Sequence, residues 1–190
     1  MAQEVVLVRH GETEWSKALR HTGRTDIPLT EEGCRQAECV GEALRGRSFA
    51  LVLTSPLQRA SETCRVAGFG DVAQARDDLM EWDYGHYEGQ RTAEIRKEAP
   101  GWTVFRDGAP NGETAEQVGA RADRVIEEVR AADGDVLLFA HGHLLRVLTA
   151  RWLGLDARDG RLFALDPATL STLGYERETS VLQLWNREIG

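Results

Sequence analysis

The chain has 190 residues, 42% of them hydrophobic, and a formal net charge of −8. This length and apolar content predict one globular domain over residues 1–190, with a full-sized core. The acidic balance argues against a general nucleic-acid-binding or membrane-surface function, because those partners attract basic surfaces. An anionic ligand would therefore have to be held by a local cluster of cationic side chains.

Three apolar runs of strand length are each followed by polar residues that suit phosphate chemistry. The runs are residues 5–8, 49–53 and 136–140, and the polar segments after them are residues 9–13, 54–59 and 141–143. Continuous apolar runs are typical of parallel strands that are buried on both faces. Since ligands bind beyond the carboxyl ends of such strands, we predict that the three polar segments form one site.

Apolar residues at helical spacing predict four helices that pack on these strands. They cover residues 30–46, about 55–68, 113–132, and the stretch from just after Gly142 to Gly154. Thr30 is the predicted cap of the first helix. In the second helix Ser55 is the predicted N-cap and Pro56 the first helical residue. This places Arg59 in the first turn, facing the crevice at the strand ends.

The segment 83–112 is rich in glycine, proline and aromatic residues, and its periodicity is weak. We interpret it as a loop-rich excursion with a short helix at 92–98, and we expect substrate selection there. Residues 170–175 and 181–185 predict the two strands of a hairpin. Together the elements predict an α/β fold with a mostly parallel central sheet and a C-terminal hairpin.

The composition favours a soluble cytoplasmic protein with reduced cysteines. No stretch approaches the roughly 20 apolar residues of a membrane-spanning helix, and the N-terminus lacks a basic start followed by a long apolar stretch. Three cysteines, Cys34, Cys39 and Cys64, form no C-x-x-C pair. We therefore predict packed thiols, with neither a disulfide framework nor a zinc site.

Taken alone, Arg9-His10-Gly11 gives only local support for catalysis. An imidazole at a strand end can act as a nucleophile or a general base, but a lone histidine there is more often structural. Arg59 and His141 strengthen the catalytic interpretation, because with Arg9 and His10 they would form a small positive pocket on an acidic body.

Four segments resemble motifs of the histidine phosphatase superfamily, which holds cofactor-dependent phosphoglycerate mutases and many phosphatases. In the family's order they are Leu7–Trp15 (LVRHGETEW), Ser55–Ala60 (SPLQRA), Glu81–Gly89 (EWDYGHYEG) and Ala140–His143 (AHGH). Four motifs in the family's order make the resemblance specific, whereas the tripeptide R-H-G alone is a common chance match. The resemblance implies a phosphoglycerate mutase-like fold, a single-domain three-layer α/β/α sandwich.

The resemblance also implies a role for each central motif residue. His10 would attack phosphorus and become phosphohistidine, and Glu81 would protonate the leaving alkoxide. The phosphoryl oxygens would be bound by Arg9, Arg59 and His141. Phosphoryl transfer needs charge balanced on those oxygens, which suits two guanidiniums and an imidazolium. Because an alkoxide is a strong base, a positioned acid contributes about 10²–10⁴-fold, and Glu81 must keep its proton near neutrality.

Weaker parts of the resemblance extend the phosphate site. They add four residues that would contact phosphate: Ser16, Thr22, Gly23 and Gly142. Glu113 and Thr114 resemble a family element near the site. His86 and His143 are expected to be structural.

Three features favour the phosphatase branch over the mutases. Ser16 stands where mutases of this family carry an asparagine, and the acid-donor motif ends in residues 87–89 (YEG) as in phosphatases. The loop that supplies paired arginines in mutases is short here, with Arg106 followed by Asp107. Residues 14–26 and 140–143 are also similar to fungal sedoheptulose-bisphosphatase-like members and to actinobacterial acid phosphatases. We therefore expect a phosphomonoesterase acting on small sugar phosphates or related metabolites.

Three alternatives remain open. A cofactor-dependent phosphoglycerate mutase would keep its phosphoenzyme while a glycerate reorients. A metal-dependent hydrolase would use His141 and His143 with Asp77 or Asp78, although such enzymes need several ligands and the chain has only 5 histidines. An inactive phosphate-binding module conflicts with the presence of every residue the chemistry requires. We expect no metal and no cofactor, and the sequence leaves the physiological substrate and the oligomeric state open.

Overall fold

The computed structural model describes residues 3–189, which are built around a six-stranded sheet. In chain order the strands are β1 (Val5–Arg9), β2 (Leu51–Thr54), β3 (Gln74–Ala75), β4 (Val136–Ala140), β5 (Leu170–Glu176) and β6 (Thr179–Arg187). Their order across the sheet is β3-β2-β4-β1-β5-β6. The first four pair in parallel, and β5 and β6 join antiparallel at one edge. The predicted C-terminal hairpin is therefore confirmed.

The α-helices of the described residues cover both faces of this sheet. They are α1 (Glu14–Lys17), α2 (Glu31–Ala43), α3 (Gln58–Val66), α4 (Thr92–Glu98), α5 (Val104–Asp107), α6 (Ala115–Arg130) and α7 (Gly142–Trp152). Alternate residues of β1 belong to two buried clusters, Val8 with Val40 of α2 and Cys64 of α3, and Leu7 with Val125 of α6 and Leu148 of α7. The predicted three-layer α/β/α sandwich with a mostly parallel sheet is confirmed.

Helix α3 begins later than the sequence pattern predicts. Ser55 does not cap it and Pro56 is not its first residue, because the helix starts at Gln58, and Leu57 occupies the N-cap without a side-chain hydrogen bond. The Ser55 hydroxyl accepts the Leu57 N–H at 3.2 Å within the preceding turn, and its other contact lies in the functional site described below. Arg59 nevertheless lies in the first turn, as predicted.

Other boundaries differ by a few residues. Thr30 caps α2 as predicted, but the helix ends at Ala43 because a tight turn follows it. Thr114 is the N-cap of α6, so that helix lies just inside the predicted range 113–132. The short helix predicted over residues 92–98 matches α4. Helices α1 and α5 and strand β3 were not predicted, since segments of four residues or fewer carry no readable periodicity.

Among residues 3–189, no helix is long and apolar enough to cross a membrane. The three cysteines are free thiols, with Cys64 buried and both Cys34 and Cys39 partly exposed. Burial raises the pKa of the Cys64 thiol to about 12, so it packs as a neutral, unreactive group.

Candidate active site

The polar segments after β1, β2 and β4 meet at one edge of the sheet, as the sequence predicts. The backbone N–H of His10 donates to Ala140 at 3.0 Å, and that of Ser55 donates to Phe139 at 2.9 Å. The strand pairing thus continues to the residues that leave the sheet. The ring centroids of His10 and His141 lie 5.1 Å apart, so the two predicted site histidines are neighbours.

His10 is held as a neutral imidazole with one nitrogen free. Its side chain is buried, and its Nδ1 lies 2.7 Å from the Gly11 carbonyl oxygen. A carbonyl oxygen only accepts hydrogen bonds, so Nδ1 carries the hydrogen and Nε2 keeps a lone pair. Burial, followed by the charges of Arg59 and Arg9, lowers the pKa of His10 well below 6.5. Nε2 is therefore a nucleophile that needs no prior deprotonation.

Two arginines place positive charge beside this imidazole. Arg59 is fully buried. Its terminal nitrogens donate to three backbone carbonyl groups, those of Thr22, Gly23 and Thr25. Arg9 donates to the carbonyl of Leu165. In both arginines a buried Nε–H has no hydrogen-bond partner among the described residues. Since an unsatisfied buried donor is costly, these two N–H groups are suited to bind an anion.

His141 is fully buried and binds a residue that the sequence assigned only to a helix cap. Its Nε2 lies 2.8 Å from the Ser55 hydroxyl, while its Nδ1 has no partner within the described chain. Burial, then the charges of Arg59 and His10, lowers the pKa of His141 well below 6.5. The ring is thus neutral and not the expected imidazolium, and a bound phosphate dianion would favour its protonation.

Glu81 is the buried carboxylate of the site and closes the N-terminus of α7. Its Oε1 accepts the backbone N–H groups of Trp82 and Leu144, each at 2.9 Å, and its Oε2 accepts that of His143 at 3.0 Å. Oε2 thus accepts one backbone hydrogen bond, whereas Oε1 accepts two. Because a carboxyl proton would displace fewer hydrogen bonds on Oε2, that oxygen is the one suited to hold an acid proton.

Glu113 fixes the loop that carries Glu81. Its carboxylate is paired with the nearly buried Arg121 at 2.9 Å and also accepts the N–H of Asp83 at 2.9 Å. Its carbonyl accepts the indole N–H of Trp82 at 2.9 Å. Glu113 therefore lies near the site and supports the loop that carries Glu81.

A cavity of about 500 Å³ opens above these groups. Its wall contains six of the predicted site residues: Arg9, His10, Ser16, Thr22, Glu81 and Gly142. It also contains residues that sequence reasoning missed, among them Arg20, His21, Tyr84, Arg91 and Arg146, and it includes His143. Arg59 and His141 are buried behind this wall. The cavity thus combines a deep cationic end with an outer wall that carries further arginines.

The family model of the histidine phosphatase superfamily (branch 1) matches residues 5–188. The chain belongs to the histidine phosphatase superfamily. The family that the four motifs predicted is thereby confirmed.

Proteins named as phosphatases and as mutases are similar to this chain over most of its length. An acid phosphatase of Mycobacterium tuberculosis is 39% identical and covers 95% of this chain and 92% of its own. A sedoheptulose 1,7-bisphosphatase of Saccharomyces cerevisiae is 39% identical, and the match covers 80% of this chain and 68% of the yeast protein. A phosphoglycerate mutase of Mesorhizobium japonicum is 35% identical, and the match covers 84% of this chain and 84% of the mutase. A solved Mycobacterium tuberculosis structure, 37% identical, covers 98% of both chains with a TM-score of 0.93.

Two residues that the resemblance assigns to phosphate binding, Gly23 and Ser16, make other hydrogen bonds in the structure. The Gly23 N–H, predicted to contact phosphate, donates to the carboxylate of Glu88 at 2.8 and 3.0 Å. The Ser16 hydroxyl exchanges hydrogen bonds with the backbone of Thr13 as part of the α1 cap. Both residues are near the site, and a phosphate contact from either would require these bonds to break.

The residues of the alternative metal site are not brought together. Asp78 pairs with Arg124 at 2.6 Å, His143 binds the Tyr84 hydroxyl through Nδ1, and His141 faces Ser55. In the part of the chain that the structure describes, no group of three or more His, Cys, Asp or Glu side chains is arranged to hold a metal ion. The geometry therefore gives the metal-dependent hydrolase no ligand set.

Proposed function

We propose that this chain is a cytoplasmic phosphomonoesterase that hydrolyses small phosphorylated metabolites, sugar phosphates among them, through a phosphohistidine at His10. One observation carries the proposal: a neutral imidazole with a free Nε2 lies beside two buried guanidinium groups whose Nε–H donors lack a partner among the described residues. A phosphate monoester would supply the missing acceptors and the electrophile together. The phosphatase names of two relatives support the same reaction class.

In the first step the phosphate group enters the deep end of the cavity and accepts hydrogen bonds from Arg9 and Arg59. The His10 Nε2 lone pair forms the N–P bond while the bond from phosphorus to the ester oxygen breaks. Glu81 gives its Oε2 proton to that oxygen, and the alcohol leaves. Both guanidiniums balance charge on the transferring phosphoryl oxygens, so the residues present account for the charge without a metal ion.

In the second step Glu81, now ionised, acts as the general base. It takes a proton from a water molecule, whose oxygen attacks phosphorus while the N–P bond to His10 breaks. Inorganic phosphate leaves, and the imidazole and the carboxylic acid return to their starting states. The His141 Nδ1 is the remaining buried polar atom without a partner in the described chain, and on protonation it would donate to a phosphoryl oxygen throughout the cycle.

A direct assay separates this proposal from the mutase alternative. Purified enzyme is given sugar phosphates, phosphoglycerates and nucleotide monophosphates, and both phosphate release and interconversion of 2- and 3-phosphoglycerate are followed, with and without EDTA. We expect phosphate release that EDTA does not reduce. Interconversion faster than phosphate release would favour the mutase, loss of activity in EDTA would favour a metal-dependent hydrolase, and no turnover would favour a binding module.

The outer wall of the cavity favours substrates that carry a second anionic group. Arg20, Arg91 and Arg146 all line it. Arg146 lies over the Phe105 ring at 4.5 Å and donates to the Gly160 carbonyl at 3.1 Å. Burial lowers the pKa of its guanidinium, so its charge is poorly hydrated. A distal phosphate on a sugar bisphosphate would meet this wall while the reacting phosphate occupies the deep end.

Arg146→Gln should therefore lower kcat/KM for a sugar bisphosphate about tenfold or more relative to kcat/KM for p-nitrophenyl phosphate, because a hydrogen bond to a charged partner contributes on the order of 1.5–3 kcal/mol. The control is Arg151→Gln on the same helix, since Arg151 pairs with Asp123 outside the cavity. Steady-state kinetics on both esters measures the ratio. An unchanged ratio in Arg146→Gln would show that the outer arginines do not select substrates.

The pH dependence of kcat/KM should have its acid limb well below pH 6.5. The depressed pKa of His10 means that the ring stays neutral, and so nucleophilic, as the pH falls through the range in which an ordinary histidine protonates. Profiles are corrected for ionisation of the ester, whose second pKa is about 6. A corrected acid limb at or above 6.5 would contradict the neutral-imidazole mechanism.

A further inference from the structure

His143 lies in the cavity wall beside the acid, yet the mechanism above does not use its side chain. Its backbone N–H donates to Oε2 of Glu81 at 3.0 Å, and its ring lines the cavity. Aromatic rings surround the imidazole, with centroids 5.2 Å away for Phe105, 5.7 Å for Tyr84 and 6.5 Å for Trp82. The ring is therefore held at a fixed position next to the group that protonates the leaving oxygen.

The hydrogen bond to Tyr84 decides which nitrogen of His143 carries the hydrogen. The Tyr84 hydroxyl lies 2.6 Å from Nδ1. Burial raises the pKa of Tyr84 well above 10, so the hydroxyl keeps its proton, and burial lowers the pKa of His143 well below 6.5, so the ring is neutral. Within residues 3–189 the hydroxyl has no other acceptor. It therefore donates to Nδ1, which places the imidazole hydrogen on Nε2.

The Nε2–H group of His143 has no hydrogen-bond partner in the described residues, and the ring that bears it faces the cavity. Oε2 of Glu81 is 4.0 Å from Nδ1 of the same ring. A substrate whose ester oxygen receives the Glu81 proton must hold its neighbouring carbon atoms close to this ring. A hydroxyl or carbonyl oxygen on those carbons is the acceptor that a neutral imidazole N–H would bind.

We propose that His143 is a specificity-determining residue whose Nε2–H, oriented by Tyr84, binds a hydroxyl or carbonyl oxygen of the leaving group next to the scissile ester. This role rests on the proposed phosphatase activity and adds to it. The residue would make the enzyme favour phosphate esters of polyols and sugars over esters whose leaving group carries no such oxygen. An ester that covers this donor without accepting from it would leave the donor unpaired, which penalises that ester.

The test compares glycerol 3-phosphate with p-nitrophenyl phosphate, which has no hydroxyl beside its ester oxygen. The measured quantity is the ratio of the two kcat/KM values. In His143→Asn the amide nitrogen occupies the place of Nδ1, and the Nε2–H donor is lost. In His143→Gln the amide nitrogen reaches the place of Nε2 and keeps a donor. We expect the ratio of glycerol ester to aryl ester to fall about tenfold in His143→Asn and by clearly less in His143→Gln.

Tyr84→Phe provides a second variant in case His143→Asn does not fold. It keeps the ring packing but removes the hydroxyl that holds the hydrogen on Nε2, so the same ratio should fall about threefold or more. The control is His86→Asn, because His86 is exposed and binds Asn111 outside the cavity. An unchanged ratio in the His143 and Tyr84 variants, or equal loss in His143→Asn and His143→Gln, would overturn the proposal. Absence of turnover in the parent enzyme would instead contradict the phosphatase function.

Discussion

His10→Ala should lower the rate of phosphate release by at least about 10⁴-fold, because the variant lacks the atom that attacks phosphorus. The free Nε2 of His10 has no substitute nearby. The neighbouring His141 directs its Nε2 to Ser55 at 2.8 Å, and its Nδ1 is proposed to carry a proton and donate to a phosphoryl oxygen, so neither nitrogen offers a lone pair to phosphorus. Release of inorganic phosphate from a sugar phosphate and from p-nitrophenyl phosphate measures the effect.

The fold of His10→Ala should survive, so the loss can be assigned to chemistry. The His10 side chain makes its hydrogen bond to the adjacent Gly11 carbonyl and bridges no separate elements. Arg9 and Arg59 remain, so inorganic phosphate should still bind and raise the melting temperature. The exposed His86→Ala is the matched control, with activity near that of the parent. Hydrolysis by folded His10→Ala at a rate near the parent's would refute the assignment.

Glu81→Gln should lower kcat/KM for a sugar phosphate by about 10²–10⁴-fold, because the amide cannot protonate the leaving alkoxide. The same change should affect p-nitrophenyl phosphate much less in the first step, since p-nitrophenolate leaves without a proton. Steady-state kinetics on both esters test this expectation, because kcat/KM reports the first step.

The amide in Glu81→Gln also meets a structural constraint. The carboxylate accepts three backbone N–H groups, one of them from His143 on Oε2, and an amide nitrogen in the place of Oε2 would oppose that donor. We expect a stability loss of about 1–3 kcal/mol, seen as a lower melting temperature. This loss would slow both esters equally, whereas loss of the acid slows the sugar phosphate more. Equal effects on kcat/KM for both esters, or no effect on either, would show that Glu81 is not the donor, whereas kcat should fall on both esters through the shared second step.

The strand ends of this fold could be predicted because each one combines two independent sequence signals. A continuous apolar run identifies a buried parallel strand, and the polar residues after it must leave the sheet at the same edge. His10 and His141 follow β1 and β4, which pair in register from Val5 to Arg9. Their proximity therefore follows from the local patterns once the strands are paired in parallel.

The outer wall of the cavity could not be predicted, because hydrogen bonds between distant loops assemble it. The segment around His21 pairs with the segment around Gln90: the His21 N–H donates to Gln90 at 2.9 Å, and the Gly89 N–H donates to His21 at 2.8 Å. An isolated antiparallel bridge joins Arg20 to Arg91. Neither segment has the periodicity of a strand, so no local pattern indicates that they meet.

The role of Ser55 illustrates a different limit. A serine before a proline predicts a helix cap, and local chemistry alone supports that interpretation. In the folded chain the strand end brings the hydroxyl to His141, and the helix starts later without a side-chain cap. A contact between residues 55 and 141 depends on the pairing of β2 with β4, which local propensity does not specify.

The central claim is that His10 carries the phosphoryl group between the ester and water. Enzyme mixed with p-nitrophenyl phosphate is quenched within milliseconds, kept alkaline and digested, and the peptide containing His10 is examined by mass spectrometry. Glu81→Gln serves as the trapping variant, because loss of the general base should slow hydrolysis of the phosphoenzyme. We expect an adduct of about 80 Da on the His10 imidazole in the trapping variant and none in His10→Ala. Repeated absence of that adduct in the trapping variant during active turnover would contradict the account.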